Sequence, residues 1–170
     1  MLPIVGTTSQ PRFLCDAMVG RLARRLRMLG YDAAYQPWGD DRDLLRRAAR
    51  ERRILVTRDT GIGCGKTRAR VLLLSANDTA EQLRQVGAAL DLAQPPGLFR
   101  RCTVCNVPLR KAQREEIEAR VPEYVRGTQT DFRSCRHCGR VYWPGTHRRE
   151  MLRSLGLASG TSTEARDRTG

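Results

Sequence analysis

Two Cys-x-x-Cys pairs stand in one short chain: Cys102-Thr-Val-Cys105 and, after 29 intervening residues, Cys135-Arg-His-Cys138. Four thiolates at that spacing close tetrahedrally on one zinc ion, and zinc with four protein ligands has no open position for chemistry. The pattern predicts a structural Zn²⁺ ribbon on Cys102, Cys105, Cys135 and Cys138. Two redox pairs or a disulfide framework would use the same residues, but no secretory leader or thioredoxin-like context accompanies them. About a hundred residues precede the ribbon, enough for a small domain of their own, and the function is to be sought there.

The charge narrows the class of partner. Against 18 Asp and Glu stand 31 Lys and Arg, a formal +13 with a pI near 10.6, and every cation except Lys66 and Lys111 is arginine. Arginine forks match phosphate geometry and stack on bases, so a nucleic-acid partner is the natural inference. A genome rich in Arg and Ala codons would give the same balance with no partner implied. No apolar run approaches the roughly 20 residues of a membrane span, and residues 1–6 are too short and uncharged for a signal segment. The expected location is the cytoplasm, with no membrane partner, and the pattern carries nothing on oligomeric state.

Taken in order, the chain alternates strands and helices. Arg12-Phe-Leu-Cys15 reads as a buried strand ending on Asp16. Met18, Val19, Leu22, Leu26 and Leu29 recur at helical spacing and predict a helix over 17–29, stopped by Gly30. Its other face carries Arg21, Arg24, Arg25 and Arg27, either a phosphate grip or an ordinary solvated face, with Arg21 nearest Asp16. Residues 31–36 form a weak strand, and Asp40 or Asp41 caps a second helix with Leu44, Leu45, Ala48 and Ala49 on its apolar side. Ile54-Leu-Val-Thr57 and Val71-Leu-Leu-Leu74 are further strands, and Asp78-x-x-Glu81 opens a third helix. This is an α/β pattern with a mostly parallel sheet and right-handed crossovers, whose ligands collect beyond the strands' C-terminal ends. Residues 93–97 read as a linker, 111–120 as helical, 141–143 as a last strand, and the chain from 156 as a flexible tail.

The acids fall where such a sheet binds ligands. Asp16 ends the first strand, Asp59 lies just past the third, and Asp40, Asp41 and Asp43 open the second helix. Neighbouring strand ends lie roughly 5 Å apart, so three or four carboxylates would share one cleft. Packed carboxylates in so basic a chain suit a divalent cation with oxygen ligands, Mg²⁺ or Mn²⁺, able to activate water beside a phosphodiester. Each acid also has a plainer reading. Asp40 or Asp41 is explained as a helix cap, Asp43 as half of a capping-box-like pair, and Asp78 as the cap paired with Glu81. Asp16 and Asp59 are harder to explain away, because an Asp directly after an apolar strand sits at the mouth of the sheet.

These residues carry a resemblance. Phe13-Leu-Cys-Asp16 with Arg21 and Asp32, then Asp40-Asp-Arg-Asp-Leu-Leu, then Ile54-Leu-Val-Thr-Arg-Asp59, then the two knuckles ending in Cys138-Gly-Arg-Val-Tyr-Trp-Pro-Gly145, resemble the Mut-seven C-terminal RNase domain family over roughly residues 12–155. The resemblance implies a PIN-like three-layer α/β fold plus a small C-terminal zinc ribbon, and a metal-dependent endoribonuclease acting on RNA. It places the first acid at Asp16, the helix-start acid at Asp41 and the acid after the third strand at Asp59; a further acid falls near Asp78 or is absent. The expected domains are 11–92 for the nuclease and 98–155 for the ribbon, with flexible termini at 1–10 and 156–170.

Asp16, Asp41 and Asp59, with Asp43 and Asp78 beside them, are therefore the candidate catalytic acids, and Arg21 and Arg58 the candidate phosphate partners. Arg133, Arg136, Arg140 and Tyr142 interleave basic and aromatic residues in the ribbon, a pattern suited to added RNA grip. Gly65-Lys66-Thr67 ends like a phosphate-binding loop, but only three residues separate Gly61 from Gly65 and a strand follows, where that motif needs four and a helix. Cys64 has no partner in the pattern, His137 has four thiolates already around it, and His147 reads as a surface residue. The rival class is a non-catalytic RNA- or ribosome-binding zinc-ribbon protein whose acids are caps and solvated ends.

Overall fold

The structure is a computed structural model, and it describes residues 10–62, 68–92 and 95–143. β1 (Arg12–Cys15) and β3 (Ile54–Thr57) are short apolar runs without polar alternation, the pattern of strands buried on both faces. They lie side by side in a four-stranded parallel sheet ordered β2-β1-β3-β4, with β2 (Asp32–Tyr35) and β4 (Arg70–Leu73) outside. Phe13 stands opposite Ile54, Leu14 opposite Leu55, and Cys15 opposite Val56. Parallel neighbours need crossovers, and α1 (Gly20–Met28) joins β1 to β2 while α2 (Asp41–Glu51) joins β2 to β3. α3 (Thr79–Leu90) follows β4.

Successive strand side chains point to opposite faces. Phe13, Cys15, Ile54 and Val56 meet Leu22, Ala23 and Leu26 of α1 and Leu83 and Val86 of α3. Leu14, Ala34 and Leu55 meet Leu44 and Ala48 of α2 on the other side. The architecture is helix on sheet on helix, the three-layer α/β fold expected. Leu14, Leu22, Leu26 and Leu55 are wholly buried, and each such side chain contributes about 1.5–3 kcal/mol. Burial pushes the Cys15 thiol up to about 12, so it stays protonated and packs as a small apolar group.

The helix starts carry the acids. Asp40 caps α2 by accepting from the Asp43 amide at 2.8 Å, and Asp78 caps α3 by accepting from the Ala80 and Glu81 amides at 2.9 and 3.0 Å. α1 begins later than its periodicity suggests, because Asp16 Oδ1 takes the Met18 amide at 2.9 Å and Ala17–Val19 closes a 3₁₀ turn first. Gly30 stops α1 at φ +92, where a Cβ would lie 2.5 Å from the Gly97 carbonyl oxygen. Since the four strands are parallel, their C-terminal ends share one edge, and α1, α2 and α3 all begin there. The chain lays β2 on one side of β1 and β3 on the other, so the strand order reverses between β1 and β3.

β5 (Arg110–Lys111), β6 (Arg133–Ser134) and β7 (Val141–Tyr142) form a small antiparallel sheet in the order β5-β6-β7, with α4 (Arg114–Arg120) and α5 (Glu123–Arg126) between β5 and β6. The stretch 111–120, expected to be helical throughout, is helical only from Arg114. Lys111 pairs with Arg133 in the sheet, and Gln113 with Glu116 closes a capping box. Ala112, Val121, Val125 and Phe132 form one buried apolar cluster here, and Leu109 packs with Cys102 and Cys135 in another.

A polar seam joins this module to the parallel sheet. Arg27, read from the sequence as part of a cationic face, is buried instead. Its Nε donates to the Ala33 carbonyl at 2.7 Å, and its Nη1 to the carbonyls of Thr103 and Val104 at 2.9 Å each. Asn106 accepts from the Ala33 amide at 3.1 Å and donates to Asp32 Oδ1 at 2.7 Å. Asp32 also receives Arg53 at 2.7 Å and Arg12 at 3.1 Å. Burial raises the Asp32 carboxyl, but the hydrogen bonds from Arg53 and Asn106 outweigh it and bring it down to about 2. Among the described residues, no helix is long and apolar enough to cross a membrane.

Candidate functional site

Asp16 follows β1 directly and Asp59 lies two residues past β3, so both stand where the strand order reverses. Thr57, the last residue of β3, joins them. Its hydroxyl donates to Asp16 Oδ2 at 2.5 Å and accepts from the Asp59 amide at 2.9 Å. With Oδ1 held by Met18, the Asp16 carboxylate is fixed at both oxygens and is 5% exposed. Asp59 is open to solvent, its Oδ1 accepting from the Gly61 amide at 2.8 Å. The pair thus combines one rigid carboxylate with one accessible one.

Asp41 is exposed in the first turn of α2, on the same sheet edge. Asp43, two residues on, is exposed and pairs with Arg46 at 3.5 Å. Asp78 is engaged by the amides of its own helix, and those hydrogen bonds hold its carboxyl below the usual range. As the side chains stand, Asp16, Asp41 and Asp59 are not drawn into a set of three within ligating reach; among the described residues only the four cysteines are. Arg21 is exposed in α1. Arg58 reaches from the end of β3 to Asn77 Oδ1 through Nη2, and its buried Nε has no hydrogen-bond partner among the described residues.

The cysteines form the second centre. Their sulfurs all lie within 4.8 Å of one another, and Cys102 and Cys138 are 3.6 Å apart. Tetrahedral Zn–S bonds of about 2.3 Å set sulfurs roughly 3.8 Å apart, so the set fits Zn²⁺. The Cys105 amide points at Cys102 Sγ at 3.3 Å and the Cys138 amide at Cys135 Sγ at 3.5 Å, donors that favour thiolates. The residue after each knuckle is left-handed, Asn106 at φ 62 and Gly139 at φ 69. Each returns its amide to the first cysteine's carbonyl, at 2.9 and 2.8 Å. Burial raises the Cys102 thiol, yet the hydrogen bonds from Tyr142 and the Cys105 amide outweigh it and bring it to about 6. His137 Nδ1 lies 3.4 Å from Cys105 Sγ, beside the ligand set.

A model of the Mut7-C RNAse domain matches residues 11–155. The chain belongs to the Mut7-C RNAse domain family. No curated protein and no solved structure matches it. The Mut7-C match spans both the parallel sheet and the cysteine centre.

Within this Mut7-C chain, two residues make contacts that their sequence reading did not include. Arg27 serves the seam rather than a phosphate. Tyr142 is half-buried with its hydroxyl 3.1 Å from Cys102 Sγ and its ring against Phe99. Thr57, Asp32 and Asn106 were not singled out for any role in site or seam; for Thr57 the available signal was a hydroxyl closing an otherwise apolar strand just before an acid. Cys64, Lys66 and Thr67 of the glycine-rich loop, His147, and residues 144–170 lie outside the described residues.

Proposed function

We propose that the chain is a metal-dependent endoribonuclease that hydrolyses RNA phosphodiester bonds in the cytoplasm, through a PIN-like domain of residues 11–92 carrying a zinc ribbon of residues 98–155. The observation that carries this reading is the Asp16–Thr57–Asp59 bridge at the point where the strand order reverses, the place where open α/β sheets bind ligands. Its donor chemistry is all oxygen, which suits Mg²⁺ or Mn²⁺. Asp16 and Asp59 would hold the ion, joined by Asp41 from the first turn of α2, with Asp43 on that turn and Asp78 the weakest candidate. A divalent cation bound there supplies a Lewis acid for the phosphodiester and lowers the pKa of a bound water. Arg21 and Arg58 neutralise phosphate charge, in a chain whose +13 already draws a polyanion. The cysteine centre has no part in the chemistry; a four-thiolate zinc is structural.

The test is cleavage of a mixed pool of structured RNA by the purified zinc-loaded protein, with and without added Mn²⁺, alongside Asp16→Asn and Asp59→Asn at matched folded fraction. Omitting Mn²⁺ rather than adding a chelator spares the cysteine centre. Metal-dependent cuts that vanish in both variants are expected. RNA bound equally by all three proteins and cut by none would overturn the reading in favour of a non-catalytic RNA binder.

A further inference from the structure

A cleft of about 620 Å³ opens along residues 17–21, which follow Asp16 in the chain, and runs to the first knuckle, well within the roughly 300–1,000 Å³ of small-molecule sites. It is lined by Tyr35 at the end of β2, Arg21 and Arg24 of α1, Gln82 of α3, and Thr103 and Val104 of the knuckle. Three observations set it apart from an ordinary surface fold. The Tyr35 ring is 40% exposed and lies against the Gly20 backbone, where a Cβ would sit 3.0 Å from Cε2 and Cζ. Gly20 has an ordinary helical φ of −61, so a side chain added there would press on the ring rather than strain the backbone. Arg21 and Arg24 are exposed and pair with no carboxylate among the described residues. The knuckle wall is anchored to α1, the carbonyls of Thr103 and Val104 accepting from buried Arg27 at 2.9 Å each.

An aromatic ring sharing one cleft with two unpaired guanidinium groups offers what an unstacked nucleotide requires: a face for the base and positive charge for the phosphates that flank it. We propose that the cleft is a nucleobase subsite in which Tyr35 stacks an unpaired base next to the scissile bond, Arg21 and Arg24 hold the adjoining phosphates, and the first zinc knuckle forms the far wall. The proposal rests on the ribonuclease reading. A base locked in a duplex cannot reach the ring without unpairing. The subsite therefore favours RNA with an unpaired nucleotide at the cut, and the cysteine centre shapes substrate choice as well as holding its own module together.

The test uses the full-length, zinc-loaded protein carrying Asp16→Asn, so that no substrate is consumed. Fluorescence anisotropy reads the binding of a labelled single-stranded oligoribonucleotide of mixed sequence and of the same strand in a perfect duplex. Adding Tyr35→Ala is expected to weaken single-strand binding by about fivefold or more, the scale of one stacked base, while Tyr35→Phe retains it. Gly20→Ala is expected to weaken it with Tyr35 still present, by displacing the ring. Trp38, 77% exposed but outside the cleft, is the control, and Trp38→Ala is expected to bind like its parent. Unchanged affinity in both Tyr35→Ala and Gly20→Ala, or an equal loss in Trp38→Ala, overturns the subsite. If these binding results hold while the protein with intact Asp16 cuts no RNA, the subsite stands and the nuclease reading fails. If RNA is cut normally while Tyr35→Ala binds normally, the reverse is true.

Discussion

The Thr57 hydroxyl donates to Asp16 Oδ2 at 2.5 Å from a side chain that is itself wholly buried, so the acid at the end of β1 is positioned by the strand beside it. Because the same oxygen accepts from the Asp59 amide, one threonine sets the spacing of both strand-end acids.

Thr57→Val keeps the shape and removes the donor. It leaves one oxygen of a buried carboxylate without its partner, a loss of about 1–3 kcal/mol. Urea unfolding is expected to show that loss, and Thr57→Ser, which keeps the hydroxyl, to recover most of it. An unchanged midpoint in Thr57→Val would mean that the bond contributes nothing.

Asp32 sets an acid limit on the seam. Its folded value lies near 2, below its ordinary 3.8, so the stabilisation is fully present above about pH 4 and is lost as the pH falls through 2. The difference between those values corresponds to about 2 kcal/mol. Asp32→Asn is therefore expected to lie below the parent by about that amount at pH 6. The gap closes as both are titrated toward pH 2, read from urea midpoints at each pH. A gap that does not depend on pH would exclude the carboxylate as its source.

Asn106 joins the knuckle to the sheet, and the two jobs separate by substitution. Asn106→Gly keeps the left-handed turn at φ 62 but removes the bonds to Asp32 and Ala33. Full zinc content with a fall of about 1–3 kcal/mol in stability is expected. Asn106→Leu strains the turn as well, and its zinc content is expected to fall. Metal analysis and thermal unfolding distinguish the two.

How much of this was legible before the structure follows from the range of each interaction. β1 and β3 are unbroken apolar runs ended by a charged or polar residue, and their bounds read directly from the sequence. So did the cysteine spacing and the glycine stop after α1, because each depends on neighbours a few residues away. Arg27 did not, since its burial depends on carbonyls 76 and 77 residues downstream. A helical pattern sees only that it sits among other arginines. β5 was hidden for the same reason, its two charged residues being strand only because β6 lies alongside. For the acids, the sequence indicated the sheet edge but not the threonine that ties two of them together.

Stripping zinc is expected to release the C-terminal module while leaving the parallel sheet folded. The module's buried residues beside the metal are few, Leu109 with Cys102 and Cys135, whereas the sheet has apolar cores on both faces. Hydrogen exchange should lose protection across 98–143 and keep it in β1 and β3. Equal loss in both would show that the sheet depends on the metal too.

The seam also decides what β2 shows to other molecules. β2 is the outermost strand on its side, and the amide and carbonyl of Ala33 on its open margin are answered by Asn106 and Arg27. An unanswered strand margin is a template on which another chain can add a strand. The first knuckle, through Asn106, thus covers part of the margin of β2, and loss of the metal is expected to uncover it and raise concentration-dependent self-association, measurable by light scattering, even while the sheet itself stays folded.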